Sequence, residues 1–304
     1  MPALSRTRRG TAAVWLWPGR ALYAGPSLRL GPHSGAVACV AVGVDAPFSV
    51  RCASGAELRA RTALIPPRVR HHLVAGGDRM VFLYLDPGSP ADRACRARFT
   101  TSDGGAGSAE GRACRAGFAP GSGADRAGFT PGDGVMTGHE AEESLLAGAA
   151  AISVDSPDEQ IAAWTAEATG HEAPSLTDPR IDAAMRRLLG SAEPLPAALL
   201  AAELGLSESR FLRLFRDRTG TSYRRFRLWA QMHRAARALA AGENLTRAAA
   251  DGAFASPSHF STAFHAMFGL PPSALFAGRP AIRCLDAHQA TASSAPPPAA
   301  STQK

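Results

Sequence analysis

A short segment that occurs twice in the C-terminal half of this 304-residue chain constrains its fold more than any other feature. "SESRFLRLFRDRTG" spans residues 207–220, and "SPSHFSTAFHAMFG" spans residues 256–269, 49 positions later. Identical residues recur at matching offsets, in the pairs Ser207/Ser256, Ser209/Ser258, Phe211/Phe260, Phe215/Phe264 and Gly220/Gly269. Phenylalanines four positions apart lie on one face of an α-helix. The repeat therefore predicts two helices with the same buried face.

The first copy has the pattern of the second helix in a helix-turn-helix unit. Ser207 is predicted to cap it, and Phe211 and Phe215 form its inner face. The preceding segment "AALLAAELG" is predicted to be a helix that ends at Gly205. In this geometry the second helix enters the major groove of DNA. We expect a recognition helix over 207–219. Its outer stripe consists of Ser209, Arg210, Arg213 and Arg216.

The second copy keeps the inner face and changes the outer one. A recognition helix is predicted over 256–268, with Phe260 and Phe264 inside. Its outer stripe consists of Ser258, His259, Thr262 and His265. The first helix carries four arginines and the second carries none. Because arginine can bond guanine edges or phosphates, we expect the first copy to supply most of the recognition.

The segment between the copies sets their distance. "SYRRFRLWAQMHRAARALAAG" is predicted to be one helix from about Ser222 to Ala241, which would be ~30 Å long. Successive major grooves on one face of DNA are ~34 Å apart. Such a rod would present the two helices to adjacent grooves, and its basic start, with Arg224, is expected to contact phosphate. The alternative is a helical bundle with a solvated basic face, which does not explain two copies in register.

The positive charge is concentrated in this region. The net charge of the chain is +7, but Lys304 is the only lysine, and an arginine bias also follows from a GC-rich coding sequence. Residues 178–280 contain 14 arginines and eight acidic residues, a local balance of +6. This concentration favours a polyanionic partner, here double-stranded DNA.

The stretch "AFASPSHFSTAFHAMFGLPPSALF" resembles the signature of the DNA-binding domain of the AraC/XylS family of bacterial transcription regulators. The resemblance covers roughly Ile181 to Phe276. The residues at signature positions are Phe254, Ser256, Phe260, Phe264, Gly269 and Pro272. The resemblance implies two helix-turn-helix units joined by a long helix. The DNA contacts that it implies are Ser209, Arg210, Leu212 and Arg213 in the first unit and Pro257, Ser258, His259 and Thr262 in the second.

Three residues of the second unit and its linker depart from the family pattern. Ala253 stands where the family has glycine before the phenylalanine of the turn, and a residue with a Cβ resists positive φ. His265 stands where a basic residue is common, and Gln231 stands where many members carry arginine. We therefore expect the second unit to bind DNA weakly.

The first part of the chain reads as a β domain. Short apolar runs between glycine and proline predict a small β-sandwich or barrel over 1–92. "ALIPPRVRHHLVAGGDRMVFLYLDP" is similar to the cupin-like sensing domains fused to these regulators, which implies a small-molecule effector. His71 and His72 are adjacent and would point to opposite faces of a strand, with His33 the only other histidine nearby. We expect no metal and no cofactor.

The sequence predicts a multidomain α+β protein. Near copies such as "RAGFAPGSG" and "RAGFTPGDG" indicate a flexible insert. The predicted parts are a cupin-like β sensing domain over 1–92, the insert over 93–135, a helical connector over 136–170, an all-α double helix-turn-helix domain over 176–280 and a disordered tail over 281–304.

The connector has two interpretations. Ser156 is predicted to cap a helix whose apolar stripe consists of Ile161, Trp164 and Ala168. Such a stripe packs on the neighbouring domain, or it forms the interface of a homodimer.

Cysteine usage and hydropathy place the protein inside the cell. The five cysteines show no zinc-like spacing and are expected to be reduced thiols. No apolar run reaches the ~18 residues that a membrane helix needs. We expect a cytoplasmic, nucleoid-associated protein with no membrane partner, which would contact RNA polymerase if it activates transcription.

Two other functions remain open at this point. One is a DNA-repair or other enzyme fused to the same DNA-binding domain, which would need a zinc-bound or activated cysteine. The other is an effector-binding protein whose helical domain no longer binds DNA. Our leading hypothesis is a transcription regulator without enzymatic activity.

Overall fold

The computed structural model describes residues 11–53, 55–99, 134–170 and 178–285. Strands fill the N-terminal part and helices the C-terminal part, which confirms the expected multidomain α+β fold. The strands are β1 (Ala13–Trp17), β2 (Arg20–Pro26), β3 (Ala38–Gly43), β4 (Phe48–Cys52), β5 (Glu57–Ala60), β6 (Thr62–Ile65), β7 (His71–Val74), β8 (Arg79–Leu85), β9 (Met136–Thr137) and β10 (Ala281–Cys284).

The described helices begin after β8. They are α1 (Pro90–Ala97), α2 (Glu142–Ala151), α3 (Asp158–Thr169), α4 (Pro179–Gly190), α5 (Ala197–Glu203), α6 (Glu208–Thr219), α7 (Tyr223–Ala240), α8 (Leu245–Asp251), α9 (Pro257–Phe268) and α10 (Pro272–Ala277). No helix in the part of the chain that the structure describes is long and apolar enough to cross a membrane.

The strands form two sheets, one of seven strands in the order β10-β1-β2-β8-β3-β6-β9 and one of three in the order β5-β4-β7. Alternate residues of the large sheet enter two different cores. Leu22 and Leu83 lie on the face that packs against α1–α3, where Trp164 is also buried. Tyr23 and Phe82 lie on the opposite face, in the core that continues into the small sheet and the C-terminal helices. Both faces are therefore covered.

Two predicted segments are ordered where no structure was expected. Helix α1 runs to Ala97, inside the predicted insert 93–135, because Ser89 caps it and Cys95 anchors it in the core. Strand β10 lies in the predicted disordered tail 281–304 and pairs in parallel with the edge strand β1, from Ala13↔Ala281 to Leu16↔Cys284. The rest of both predictions, residues 100–133 and 286–304, lies outside the described residues.

The connector helices pack on their own chain. The three residues of the apolar stripe, Ile161, Trp164 and Ala168, are buried there, and Trp164 Nε1 donates to the carbonyl of Leu145 at 3.0 Å. The stripe therefore packs within its own chain, as the first of the two interpretations expected, and does not form an exposed interface in the described residues. The predicted cap is wrong by one position, because Pro157 precedes the first turn and Ser156 Oγ instead accepts from the backbone N–H of Ser153.

The cysteines depart from the expectation of five reduced thiols. Cys52 is disulfide-bonded, whereas Cys39, Cys95 and Cys284 are free. No two cysteines are closer than 13 residues in the sequence, so spacing gave no sign of a disulfide.

The β domain and the helical domain share a core, and α7 is the element between them. Trp229 of α7 is buried, and its Nε1 donates to Oδ1 of Asp86, at the end of β8, at 3.1 Å. Tyr84 packs against Trp229 and against Phe268 of α9, with ring centroids 5.9 and 5.6 Å apart. The carboxyl of Asp86 thus lies at the junction of the two domains.

Asp86 makes the stability of this junction depend on pH. Burial raises its pKa to about 8, against the lowering effects of the Trp229 hydrogen bond and of Arg20. An unfolded aspartate has a pKa of about 3.9, so the folded state holds a proton that the unfolded state releases. The contribution of Asp86 to the free energy of unfolding therefore falls as pH rises from about 4 to about 8.

We expect Asp86→Asn to remove this pH dependence. The amide cannot ionise, yet its oxygen can still accept from Trp229. The variant should be more stable than the wild type above pH 8, with the difference shrinking towards pH 5, as measured by urea denaturation at pH 5, 7 and 9. Asp155→Asn, at an exposed residue, is the control. Parallel pH profiles for wild type and Asp86→Asn would contradict the assignment.

Candidate DNA-binding surface

The first helix-turn-helix unit consists of α5 and α6. The turn between them is closed by Gly205, which has φ 66°, and by a hydrogen bond from the N–H of Leu206 to the carbonyl of Ala201 at 2.8 Å. This is a Schellman-type end, which favours glycine at the left-handed position. Ser207 then caps α6, as predicted, by accepting from the N–H of Arg210.

The inner face of α6 is fixed by aromatic rings. Phe211 and Phe215 are fully buried, and both pack on Tyr223 of α7, with centroids 5.4 and 5.6 Å apart. Phe226, one turn further along α7, packs on Phe215 at 5.7 Å. The orientation of α6 on the linker helix is therefore set by a dense cluster rather than by the turn alone.

The second unit, α8 and α9, repeats this construction. The N–H of Phe254 bonds the carbonyl of Ala249 at 2.9 Å, and the residue at the left-handed position is Ala253, with φ 57°. The predicted departure from the glycine pattern is thus real backbone strain. Phe260 and Phe264 are buried and Ser256 caps α9.

The linker helix holds the strained turn in place. Gln231 Nε2 donates to the carbonyl of Ala253 at 2.7 Å, and Arg234 Nη2 bonds the carbonyl of Gly252 at 3.5 Å. In the sequence, Gln231 is recognisable only as a missing arginine, and no local pattern marks Arg234 as a partner of the turn. Two side chains of α7 therefore replace part of the stabilisation that a glycine would give.

The outer faces of α6 and α9 are exposed among the residues that the structure describes. The predicted DNA contacts on these helices are all exposed: Ser209, Arg210, Leu212, Arg213, Arg216, Pro257, Ser258, His259, Thr262 and His265. Arg224, at the start of α7, is exposed as well. The side chains of both stripes are thus exposed on the surface. Their contacts with DNA stay predictions.

The arginines of α6 have weak partners. Arg213 Nε lies 3.7 Å from a carboxylate oxygen of Asp217, and Arg216 Nε lies 3.8 Å from the other. Exposed pairs of this kind contribute ~0–1 kcal/mol. Both guanidinium groups can therefore leave Asp217 for a nucleic acid at little cost.

His259 is oriented by its neighbours. Its Nδ1 accepts from the N–H of Ala255 at 3.4 Å, and its ring packs on Phe254 at 5.5 Å. In the neutral form this leaves Nε2 as the protonated nitrogen, a donor that faces outward at the start of α9.

The rod between the units is close to the predicted length. Helix α7 has 18 residues, from Tyr223 to Ala240, which corresponds to ~27 Å. Its length is compatible with placing α6 and α9 in successive major grooves, ~34 Å apart.

Two cavities lie beside α7. One is apolar, about 100 Å³, and lies between the large sheet and the helical domain, with lining residues that include Tyr23, Phe82, Met232, Ala236 and Phe268. The other is a wider cleft of about 960 Å³ whose polar lining includes Asp86, Arg186, His233, Arg234 and Arg237. Burial lowers the pKa of His233 to about 4, so this ring is neutral at physiological pH.

The histidines of the β domain do not form a metal site in the described residues. His33 and His71 come together, with ring centroids 4.3 Å apart, and each Nδ1 donates to a backbone carbonyl, of Gly31 and Val69. His72 follows on β7 and is half-buried. Within the described ranges, no group of three or more His, Cys, Asp or Glu residues could hold a metal ion.

Comparison with known proteins identifies the helical part. A family model described as "Helix-turn-helix domain" matches residues 200–278, from α5 to the end of α10. Residues 200–278 are an AraC-type helix-turn-helix domain. The presence of this domain supports the interpretation of the protein as a DNA-binding transcriptional regulator. No curated protein matches the chain in sequence.

Solved structures show that the AraC-type domain continues into a known two-part fold. An apo variant of ToxT from Vibrio cholerae is similar, with a TM-score of 0.51 at 11% identity over 84% of this chain and 96% of that chain. A DNA-binding transcriptional dual regulator from Escherichia coli matches at 25% identity and a TM-score of 0.27, over 31% of this chain and 83% of that chain. The ToxT likeness shows a shared fold, with a β-rich N-terminal domain before the helix-turn-helix region.

The strained alanine gives a direct test of the turn. We expect Ala253→Gly to stabilise the protein by about 1 kcal/mol, because glycine adopts positive φ without the Cβ clash. Chemical denaturation measures this change. Ala255→Gly, two residues later and not at positive φ, is the matched control and should leave stability unchanged or lower it slightly. Equal losses in both variants would show that the turn is not strained.

Proposed function

We propose that this protein is a transcription regulator that binds double-stranded DNA sequence-specifically, with α6 and α9 in adjacent major grooves. The observation that carries the proposal is the pair of exposed polar stripes on two copies of one helix-turn-helix unit, joined by a single helix. A solvated bundle would not need two units with the same caps and the same phenylalanine cores.

The residues of α6 suit base readout. Arg210 and Arg213 are long, exposed and able to bond O6 and N7 of guanine in bidentate geometry. Leu212 is 38% exposed between them, where its side chain can contact a thymine methyl group. Arg216 and Arg224 lie further along the surface and suit phosphate.

The residues of α9 suit weaker contacts. Ser258 and Thr262 are short hydroxyl side chains, and His259 offers an oriented Nε2–H donor. Pro257 opens the helix and His265 ends the stripe. With no arginine on this helix, the second unit would position the protein more than it would specify the sequence.

This asymmetry gives a prediction. On an operator fragment taken from bound genomic DNA, Arg213→Ala and Arg210→Ala should each weaken specific binding by about 1–3 kcal/mol, because each loses a base contact. Thr262→Ala and His259→Ala should weaken it less. Gel-shift titration at one fixed salt concentration measures all four variants. Arg187→Ala, on α4 and outside both stripes, is the control.

Two results would contradict this proposal. If the wild type bound operator and random duplexes equally tightly, the proposal of sequence-specific DNA binding would be wrong. Larger losses from Thr262→Ala and His259→Ala than from Arg213→Ala would reverse the assigned asymmetry.

The apolar cavity supports control by a small molecule. Its walls come from the β domain, with Tyr23 and Phe82, and from the helical domain, with Met232 and Phe268. A ligand there would contact both α7 and α9. The lining favours a small apolar molecule or the apolar part of a larger one.

The cavity can be tested without knowing the natural effector. Benzene and xenon serve as probes, since an apolar cavity of similar size binds both. We expect at least one to raise the Tm of the wild type and to leave Ala236→Leu, which fills the cavity, unaffected. Ala238→Leu, on the same helix but lining the wider cleft, should respond like the wild type. An equal rise in Tm in the wild type, Ala236→Leu and Ala238→Leu would show that the probes bind elsewhere.

The enzyme alternative gains no support from the free cysteines of the core. Burial raises the pKa of Cys39 and of Cys95 to about 12. An activated nucleophile needs the opposite shift. Homodimerisation, which rested on the resemblance and on the connector helices, stays a proposal, as does a contact with RNA polymerase if the protein activates transcription.

A further inference from the structure

A loop of the β domain, residues 31–35, lies against the end of the second recognition helix. The N–H of Gly31 donates to the carbonyl of Gly269 at 2.6 Å, and the N–H of Ser34 donates to that of Ala266 at 3.4 Å. Both acceptors are at the C-terminal end of α9. The C-terminal end of α9, where His265 lies, is therefore next to the β domain.

The same loop also contacts the start of the linker helix. Arg225 Nη2 donates to Ser34 Oγ at 3.1 Å, and its Nη1 donates to the carbonyl of Gly35 at 3.4 Å. The N–H of Arg68 bonds that same carbonyl at 3.0 Å. Loop 31–35 thus lies between three elements: the Arg68–Arg70 turn before β7, the start of α7, and the end of α9.

We call Arg68, Arg70 and Arg225 the basic rim, which lies beside His265 of α9. Arg68, Arg70 and His265 are exposed, and Arg225 is half-buried. The three guanidinium groups lie around the loop. Burial lowers the pKa of His33, and so do the nearby His72, His265 and Arg70, against the raising effect of its bond to Gly31. Burial and then the charge of Arg68 lower the pKa of Arg225.

The rim is not neutralised by the described part of the protein. None of its three arginines forms a salt bridge with a described carboxylate. Like charges brought together without counter-charges destabilise a fold, so such a cluster indicates an anionic partner.

Arg68 adds an independent observation. It occupies the left-handed region with φ 69°, where glycine would be less strained. Strain of this kind points to a side chain that is needed for a purpose other than folding. The backbone N–H bond to Gly35 would be kept by glycine, whereas the guanidinium would be lost.

The position of the rim indicates which anion it binds. A helix that lies in a major groove has phosphates at both of its ends, and the C-terminal end of a helix repels them through its dipole. The stripe of Ser258, Thr262 and His265 ends beside loop 31–35. We propose that the basic rim binds the DNA phosphates that flank the half-site of α9, so that the β domain itself is part of the DNA-binding surface. This inference rests on the proposed function.

The salt dependence of binding tests the proposal on the full chain. Each phosphate contact adds about 0.9 to the slope of log K against log salt. The double variant Arg68→Gly, Arg70→Gln should lower that slope by about 2 and weaken operator and random duplex by the same factor. Its Tm should equal or exceed that of the wild type, because glycine relieves the strain at position 68. A fall in binding with unreduced Tm excludes misfolding as the cause.

The matched control is Arg59→Gln, an exposed arginine on β5, two strands away from β7 in the small sheet. It should leave the slope unchanged, whereas Arg70→Gln alone should lower it by about 1. Ethylation interference gives a second readout. Phosphates outside the α9 half-site should interfere in the wild type and cease to do so in the double variant.

The outcomes separate the two proposals. A wild-type chain that prefers no sequence overturns the proposed function. A wild-type chain that binds its operator specifically, together with an unchanged slope in the double variant or an equal fall in Arg59→Gln, overturns the role of the rim alone.

Discussion

The packing of one helix, α7, against both helix-turn-helix units and against the β domain is the constraint on which this structure depends. Helix α7 supplies Tyr223 and Phe226 to the core of the first helix-turn-helix unit, and its Gln231 holds the turn of the second. Trp229, between them in the sequence, is bonded to Asp86 of the β domain. A displacement of α7 would therefore move both recognition helices and would break a buried hydrogen bond at the same time.

The β domain also touches the rear ends of both recognition helices. A Cβ added at Gly88 would lie 2.7 Å from the carbonyl of Arg218, near the end of α6, and Gly31 bonds Gly269 at the end of α9. The residues near the starts of α6 and α9 that we propose to contact DNA are exposed in the described part of the chain. The β domain is thus placed to fix the distance between the two helices without covering them, so a ligand at the domain junction would act on their spacing.

Local patterns in the sequence predicted local structure well. The cap at Ser207, the buried Phe211 and Phe215, and the positive φ at Ala253 all follow from rules that involve neighbours within one or two helical turns. Contacts between residues far apart in the sequence could not be predicted. The pairing of β10 with β1 and the bond between Trp229 and Asp86 join residues more than 140 positions apart, and no local pattern encodes them. The cap at Ser156 failed because a neighbouring serine backbone offered a competing bond.

The two units show why a duplicated architecture need not duplicate its function. The commonest specific base contact is that of arginine with guanine, and of the two helices only α6 carries arginine. Positioning needs only cations near phosphates, and these can come from any element that reaches the edge of the groove. If the basic rim binds phosphates as proposed, Arg68 and Arg70 supply the cations that α9 itself lacks. The second unit, with serine, threonine and histidine on its surface and a strained turn held by Gln231, would then serve to set the register of the first.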